Sequence, residues 1–171
     1  MHQPETKKIV MRLFHYACGF LLFTTTCAAT QRADFVLVKK SENKLYLISH
    51  GEAFASFRVA FGGNPVGPKQ RQGDGRTPEG RYVLDARNEH SAYYKSLHVS
   101  YPNAQDRDRA HELGVSPGGD IMIHGQPNGW GAYAAITQTR NWTLGCIALT
   151  NDDMDVVWLS VPLGTPIEIQ P

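Results

Sequence analysis

Short apolar segments that alternate with polar residues, separated by tight turns, constrain the fold of this chain most. Residues 33–40, 44–48 and 53–61 show this alternation, and Ser-Glu-Asn and His-Gly turns separate them. Alternation with such short connections predicts an antiparallel meander of strands. The 16 glycines and 10 prolines among 171 residues also favour many turns over a helical bundle.

The rest of the chain continues this pattern. Further strands are predicted at four places, namely residues 79–84, 97–101, 121–123 and 166–169. Helices are predicted at 105–113 and 152–159, the second capped by Thr150-Asn151. The long polar segment 62–78 is predicted as either a functional loop or a disordered surface flap. The sum is a mostly β domain with a few short helices.

The N-terminus has the order of a secretory signal. Lys7, Lys8 and Arg12 precede an apolar run at 13–23, and small residues follow to position 30. This order predicts a signal peptide over 1–30, a mature domain over 31–171, and an exported protein of the periplasm or cell envelope. The run is short for a bilayer, so no stable membrane span is expected after processing. A permanent anchor, a buried N-terminal helix and lipidation at Cys27 are the alternatives.

Charge and cysteine content narrow the function classes. The net charge of +1 does not favour a nucleic-acid partner. Loss of residues 1–30 removes Cys18 and Cys27 and leaves Cys146 alone. A single cysteine cannot form an internal disulfide, so Cys146 is either an inert buried thiol or a reactive one.

Two glycine-flanked residues at strand ends form the candidate site. His124-Gly125 follows an apolar strand, and Gly145-Cys146 precedes another. An imidazole can take the proton of a thiol and so generate the nucleophilic thiolate. The backbone N–H groups of Gly145 and Cys146 are candidates for stabilising an oxyanion.

The stretch from His124 to Asn151 resembles the signature of the L,D-transpeptidase catalytic domain family, which is also called YkuD-like. That signature is His-Gly, a variable loop, Ser/Thr-x-Gly-Cys and often a later Asn. Segment 66–82, with its GDGRTPEG sequence, is also similar to the family. Two positions depart from the pattern, because many members have His where this chain has Leu144 and Arg where it has Ala148.

The resemblance implies a β-sandwich or barrel-like domain that acts on peptidoglycan stem peptides. Cys146 would be acylated by a tetrapeptide stem with release of terminal D-Ala. The acyl group would then pass to an amine, from a second stem, a lipoprotein lysine or a free D-amino acid. An L,D-carboxypeptidase or amidase that hydrolyses the thioester, for example to release a wall-linked lipoprotein, is the alternative. A non-catalytic wall-binding domain with a structural Cys146 is a third possibility.

The resemblance also assigns roles within the site. His124 would be general base and then acid, and the backbone carbonyl of Gly125 would orient it. No metal or cofactor is required, and His98 is the next candidate base if His124 is structural. The predicted substrate-binding residues are Arg76, Trp130, Arg140, Trp142 and Thr143.

Overall fold

A computed structural model describes residues 31–171. The predicted leader over 1–30, including Cys18 and Cys27, lies outside the described residues. Eight strands form one mixed sheet in the order β3-β2-β1-β8-β4-β5-β6-β7. In chain order the strands are β1 (Phe35–Lys39), β2 (Lys44–Ser49), β3 (Glu52–Arg58), β4 (Gly80–Ser91), β5 (Tyr94–Val99), β6 (Met122–His124), β7 (Ile147–Ala148) and β8 (Pro166–Gln170).

The predicted meander is present as β1, β2 and β3, which pair antiparallel. Two pairs in the sheet are parallel, because β8 joins β1 and β7 joins β6. The hairpin of β4 and β5 is longer than predicted and reaches Ser91 and Tyr94. Its outer part carries polar, exposed side chains over 87–90, so the sequence there lacks the alternation of apolar and polar residues that predicts a strand.

Within residues 31–171, three short α-helices pack around the sheet. They are α1 (Ala104–Glu112), α2 (Ala134–Thr137) and α3 (Asn151–Ser160). The predicted cap of α3 is present, since the Thr150 hydroxyl accepts a hydrogen bond from the Asp153 N–H at 3.1 Å. The α2 helix was not predicted, because four residues carry too little periodicity to recognise. No helix within residues 31–171 is long and apolar enough to cross a membrane.

The apolar faces of the strands and α3 form one core. Leu45 and Leu47 of β2 are completely buried, as are Met154 and Val157 of α3. Burial of each such side chain contributes about 1.5–3 kcal/mol relative to exposure. The alternation of burial along β1, β2 and β8 therefore places one apolar face inward, whereas the outward face is mixed and includes Phe35 and Leu37 of β1.

Hydrogen bonds just beyond β3 join the two ends of the sheet. Ala60 and Ala148 exchange two backbone hydrogen bonds of 2.9 and 2.8 Å. The Asn141 side chain accepts from the Phe61 N–H at 2.9 Å and from Asn43 Nδ2 at 3.3 Å. We call this contact between residues 60–63 and 141–148 the seam. The seam closes the sheet on itself, in agreement with the barrel-like expectation.

Candidate active site

Two neighbouring strands bring the predicted catalytic residues to one cleft. His124 is the last residue of β6, and Cys146 directly precedes β7. The strands are parallel, with Ile123 opposite Ile147, and both isoleucines are completely buried. His124 and Cys146 both line a cleft of about 660 Å³. The buried isoleucines therefore anchor the backbone from which both side chains project.

A backbone carbonyl fixes the tautomer of His124. Its Nδ1 lies 2.7 Å from the Gly125 carbonyl oxygen. A carbonyl oxygen only accepts hydrogen bonds, so the neutral ring carries its proton on Nδ1 and a lone pair on Nε2. The Gly125 N–H in turn donates to Tyr93 O at 3.1 Å, which holds this peptide against the β4–β5 turn.

Aromatic rings enclose the His124 side chain. The ring centroid of Tyr93 lies 4.6 Å from that of His124, and the centroid of Trp142 lies 5.8 Å from it. Burial lowers the pKa of the His124 imidazole, and the hydrogen bond with Gly125 offsets part of this effect. The imidazole is therefore neutral, and able to accept a proton, at neutral pH.

The thiol of Cys146 is protonated in the resting site. Its Sγ donates a hydrogen bond to Asp120 O at 3.5 Å. Burial raises the pKa of the thiol; a hydrogen bond from the Met122 backbone and the charge of Lys69 lower it, and the Asp120 charge raises it further. The net effect is upward, so the thiol requires a base before it can attack a carbonyl.

Gly145 is required by the backbone before Cys146. Its φ is +136°, and a Cβ here would lie 2.6 Å from the Arg76 carbonyl oxygen. The Gly145 N–H donates to Thr143 Oγ1 at 3.1 Å. The prediction that this N–H faces an oxyanion therefore needs correction, because it already has a partner. Within residues 31–171 the Cys146 N–H has none, so of the two predicted donors it is the available one.

Two of the predicted substrate-binding residues line the cleft, namely Trp142 and Thr143. Arg76, which was selected by its charge, does not line the cleft. One guanidinium nitrogen of Arg76 lies 3.5 Å from Pro68 O, within the long loop. The backbone of Arg76, rather than its charge, contacts the site through Gly145.

Trp130 and Arg140 also lie outside the lining of the cleft. Trp130 packs against Tyr133 with ring centroids 5.9 Å apart, and it remains 56% exposed. Arg140 is exposed on the surface. Residue type alone placed both in the predicted site, and residue type contains no information on side-chain direction.

His98, the reserve candidate for the base, lies elsewhere on β5. Its Nδ1 is 2.6 Å from Asp85 Oδ1, and the side chain does not line the cleft. His98 therefore lies on an interior strand, between β4 and β6, and outside the lining of the cleft.

Lys69, Tyr93 and Asp120 are among the cleft residues that were not predicted from the sequence. Lys69 lies in the polar loop 62–78, where a lysine is expected to face solvent, yet it is 3% exposed. Asp120 has a left-handed backbone with φ +54°. The Pro-Gly-Gly sequence directly before Asp120 contributes Gly118 and Gly119 to the same wall of the cleft.

Comparisons with known proteins agree with this geometry. Residues 33–169 match the family described as the L,D-transpeptidase catalytic domain, YkuD. YafK of Escherichia coli (strain K12), which is provisionally named an L,D-transpeptidase, is 36% identical over 131 residues. That match covers 72% of this chain and 45% of YafK.

Solved structures share the fold. Bd1075 of Bdellovibrio bacteriovorus is 26% identical with a TM-score of 0.57, over 82% of this chain and 48% of that protein. Pgp2 of Campylobacter jejuni, a helical cell shape determining protein, is 24% identical with a TM-score of 0.58. It is covered to 48%, and this chain to 80%. The chain thus spans about half the length of the relatives it matches. Because the family match includes both the closed sheet and the Gly-Cys motif, the chain belongs to the L,D-transpeptidase catalytic domain family.

Proposed function

We propose that this protein is a cysteine L,D-transpeptidase that acts on peptidoglycan tetrapeptide stems. One observation carries the proposal. Cys146 and His124 line the same cleft, and the Gly125 carbonyl holds Nδ1 of His124 so that Nε2 bears the lone pair. A protonated thiol next to a neutral imidazole is the resting pair that general-base activation of a nucleophile requires.

Acylation begins when His124 Nε2 takes the proton of Cys146 Sγ. The sulfur attacks the carbonyl carbon of the residue before the terminal D-Ala and forms a tetrahedral intermediate. The imidazolium then gives its proton to the departing nitrogen, the C–N bond breaks and D-Ala leaves. The products of this half-reaction are a thioester on Cys146 and a neutral His124.

Deacylation reverses these roles. An acceptor amine loses a proton to His124 Nε2 and attacks the thioester carbonyl. The C–S bond breaks, the imidazolium returns the proton to sulfur, and a new amide is released. If water replaces the amine, the same residues release a carboxylic acid, and the enzyme is an L,D-carboxypeptidase or amidase.

The Cys146 N–H supports the tetrahedral intermediate in this proposal. It has no partner within residues 31–171 and belongs to the residue that forms the covalent bond. The Thr143 hydroxyl donates to Cys146 O at 2.7 Å and accepts from the Gly145 N–H. Thr143 thereby holds the peptide groups that precede and follow the one carrying the Cys146 N–H, so that this donor is oriented before the charge develops.

We further propose that the protein works in the cell envelope. The basic, apolar and small-residue order of positions 7–30 supports export, and peptidoglycan stems are found outside the cytoplasm. N-terminal sequencing of the exported protein tests this point. A start near residues 28–34 supports export, and an intact N-terminus on a cytosolic product contradicts it.

Digestion of purified muropeptides, followed by mass analysis, tests the reaction itself. The wild-type protein should release D-Ala from tetrapeptide stems and give cross-linked or exchanged products when an amine acceptor is present. Cys146→Ala should give neither product and no protein-bound acyl group.

The alternatives give different products in the same assay. Tripeptide without cross-links identifies a carboxypeptidase, and release of a peptide from a wall-linked lipoprotein identifies an amidase. If folded wild-type protein binds stems and never forms a Cys146 thioester, the domain is a binding module.

A further inference from the structure

The segment 62–78 contains a buried ion pair that the proposed reaction does not use. Lys69 Nζ lies 2.8 Å from Asp74 Oδ1 and 3.1 Å from Arg71 O. The side chains are 3% and 9% exposed. Removing both charges from water costs free energy, and solubility does not require a lysine and an aspartate of a polar loop to be buried. The burial of this pair therefore needs another explanation.

Backbone N–H groups stabilise the carboxylate of Asp74 together with Lys69. Its carboxylate accepts hydrogen bonds from the N–H groups of Gln70, Arg71 and Arg76 at 2.8–3.1 Å. Burial raises the pKa of Asp74, but the bond from Lys69 and the three backbone bonds outweigh it and lower the pKa to about 2. Asp74 thus fixes the turn through three backbone donors and holds the Lys69 ammonium at the same time, and of these two side chains only Lys69 lines the cleft.

Lys69 lines the same cleft as Cys146. Among the cleft-lining residues that the structure describes, Lys69 is the only Lys or Arg, and Asp120 is the only Asp or Glu. Cys146 therefore shares the cleft with one positive and one negative side chain, and the other titratable side chains that line it are His124 and Tyr93. Opposite charges near a thiol act in opposite directions on its ionisation.

We propose that Lys69 is a positioning residue whose charge stabilises the ionised sulfur of Cys146 as it forms. The inference rests on the proposed role of Cys146 as nucleophile. The charge on sulfur develops inside a partly buried cleft, where a fixed cation interacts more strongly than it does in water. The Asp74 turn holds that cation in place before the proton leaves, so no reorganisation is needed during attack.

A second buried lysine offers a matched control. Lys40 Nζ lies 2.7 Å from Glu79 Oε1 and 2.8 Å from Gly67 O, and its side chain is 4% exposed. This pair also holds the loop 62–78, but Lys40 does not line the cleft. Loss of either lysine loosens the same loop, whereas only loss of Lys69 removes a charge from the lining of the cleft that holds Cys146.

The experiment measures the rate of Cys146 alkylation by iodoacetamide against pH, with no substrate present. Lys69→Met should slow alkylation at neutral pH by about two- to tenfold and move the profile to higher pH. Lys69→Arg should restore most of the rate. Asp120→Asn, which keeps a residue tolerant of the left-handed backbone, should accelerate alkylation and move the profile to lower pH.

The signs of these shifts separate charge from structure. The Lys40→Met profile should stay at the wild-type position, even if the protein is less stable. If Lys40→Met and Lys69→Met shift the profile equally, or if Asp120→Asn slows alkylation as well, the proposal is overturned. Should Lys69→Met not fold, Lys69→Gln gives the same test, because it keeps a donor for Asp74 and removes only the charge.

Alkylation also separates this inference from the proposed function. A Lys69-dependent profile in a protein that never forms a thioester with stems would leave the inference standing and refute the function. Normal turnover with an unchanged Lys69→Met profile would do the reverse.

Discussion

The two ends of the sheet are stabilised in different ways. Around β1, β2 and β8 the inward side chains are all apolar, and Val38, Leu47 and Ile167 are completely buried. Around β6 and β7 the buried set includes polar residues such as His124 and Gln126, each held by specific hydrogen bonds. The first region is stabilised by buried apolar area and therefore tolerates the repacking of its side chains, whereas the second depends on individual hydrogen-bonding atoms.

Replacing one atom in the β6–β7 region should have the largest effect of all. Cys146→Ser should lower turnover by about three orders of magnitude or more, because a hydroxyl is far less ionised than a thiol. The free energy of unfolding should stay within about 1 kcal/mol of the wild-type value, since the two side chains are nearly isosteric. Parallel measurement of turnover and of urea denaturation checks both statements. Unchanged turnover in the folded serine variant would end the covalent mechanism.

The second prediction concerns His124. His124→Gln should slow acylation by roughly 10²–10⁴-fold, the usual scale for a positioned acid–base group. In the wild-type protein the pH profile of acylation should be bell-shaped, and its values belong to the coupled pair. Burial lowers the pKa of His124 and raises that of Cys146, so the plateau should be broader than the ordinary values of these groups give. Stopped-flow acylation across pH measures it, and an unaffected His124→Gln rate would make His124 structural.

The third prediction concerns a substitution in the apolar region, which should change the stability of the protein and leave the site around Cys146 unchanged. Leu47→Ala in β2 should lower the free energy of unfolding by about 2–5 kcal/mol, because it leaves a cavity in a fully packed core. The rate of Cys146 alkylation in the folded fraction should not change. Denaturant titration and thiol labelling in the same buffer compare the two effects. A large change in labelling with little loss of stability would show that the two regions are not independent.

The smallest predicted effect comes from acid. The pKa of Asp74 is lowered to about 2 from the unfolded value of 3.8. Its contribution to the free energy of unfolding is therefore complete above the unfolded value and is lost as the pH falls from there towards 2. With partial exposure of the loop allowed for, the loss is about 1 kcal/mol. The loop beside Cys146 should therefore open before the β1–β2–β8 region unfolds. Hydrogen exchange at pH 2–4 tests the order, and simultaneous loss of protection in both regions would contradict it.

The same contrast explains what could be predicted from the sequence. The β1–β3 meander and the α3 cap follow from local patterns, namely alternation and a Thr at the helix start. The parallel pairs β1–β8 and β6–β7 join segments distant in the chain, and no local pattern specifies which segments meet. The β7 strand itself is only two residues long, so its pairing depends on the seam.

For the site, reactive chemistry next to glycine located His124 and Cys146. Charge alone selected Arg76 and Arg140, and both point elsewhere. Lys69 was overlooked because a lysine between polar residues carries no sign of burial. Its burial arises from the folded turn around Asp74, which is visible only in three dimensions.

The seam also bears on the order in which this molecule forms. Asn141 is hydrogen-bonded to Asn43 and Phe61, which precede it by 98 and 80 positions. Cys146 follows Asn141 closely in the sequence. Contacts between such distant residues form slowly, because the chain loses loop-closure entropy before the contacts contribute any stabilisation. The walls around Cys146 are therefore completed only when the segments around Asn43, Phe61 and Asn141 have met. With the roles proposed for His124 and Lys69, a partly folded chain would have the thiol but lack the fixed base and the fixed cation, so activity would arise only as folding is completed.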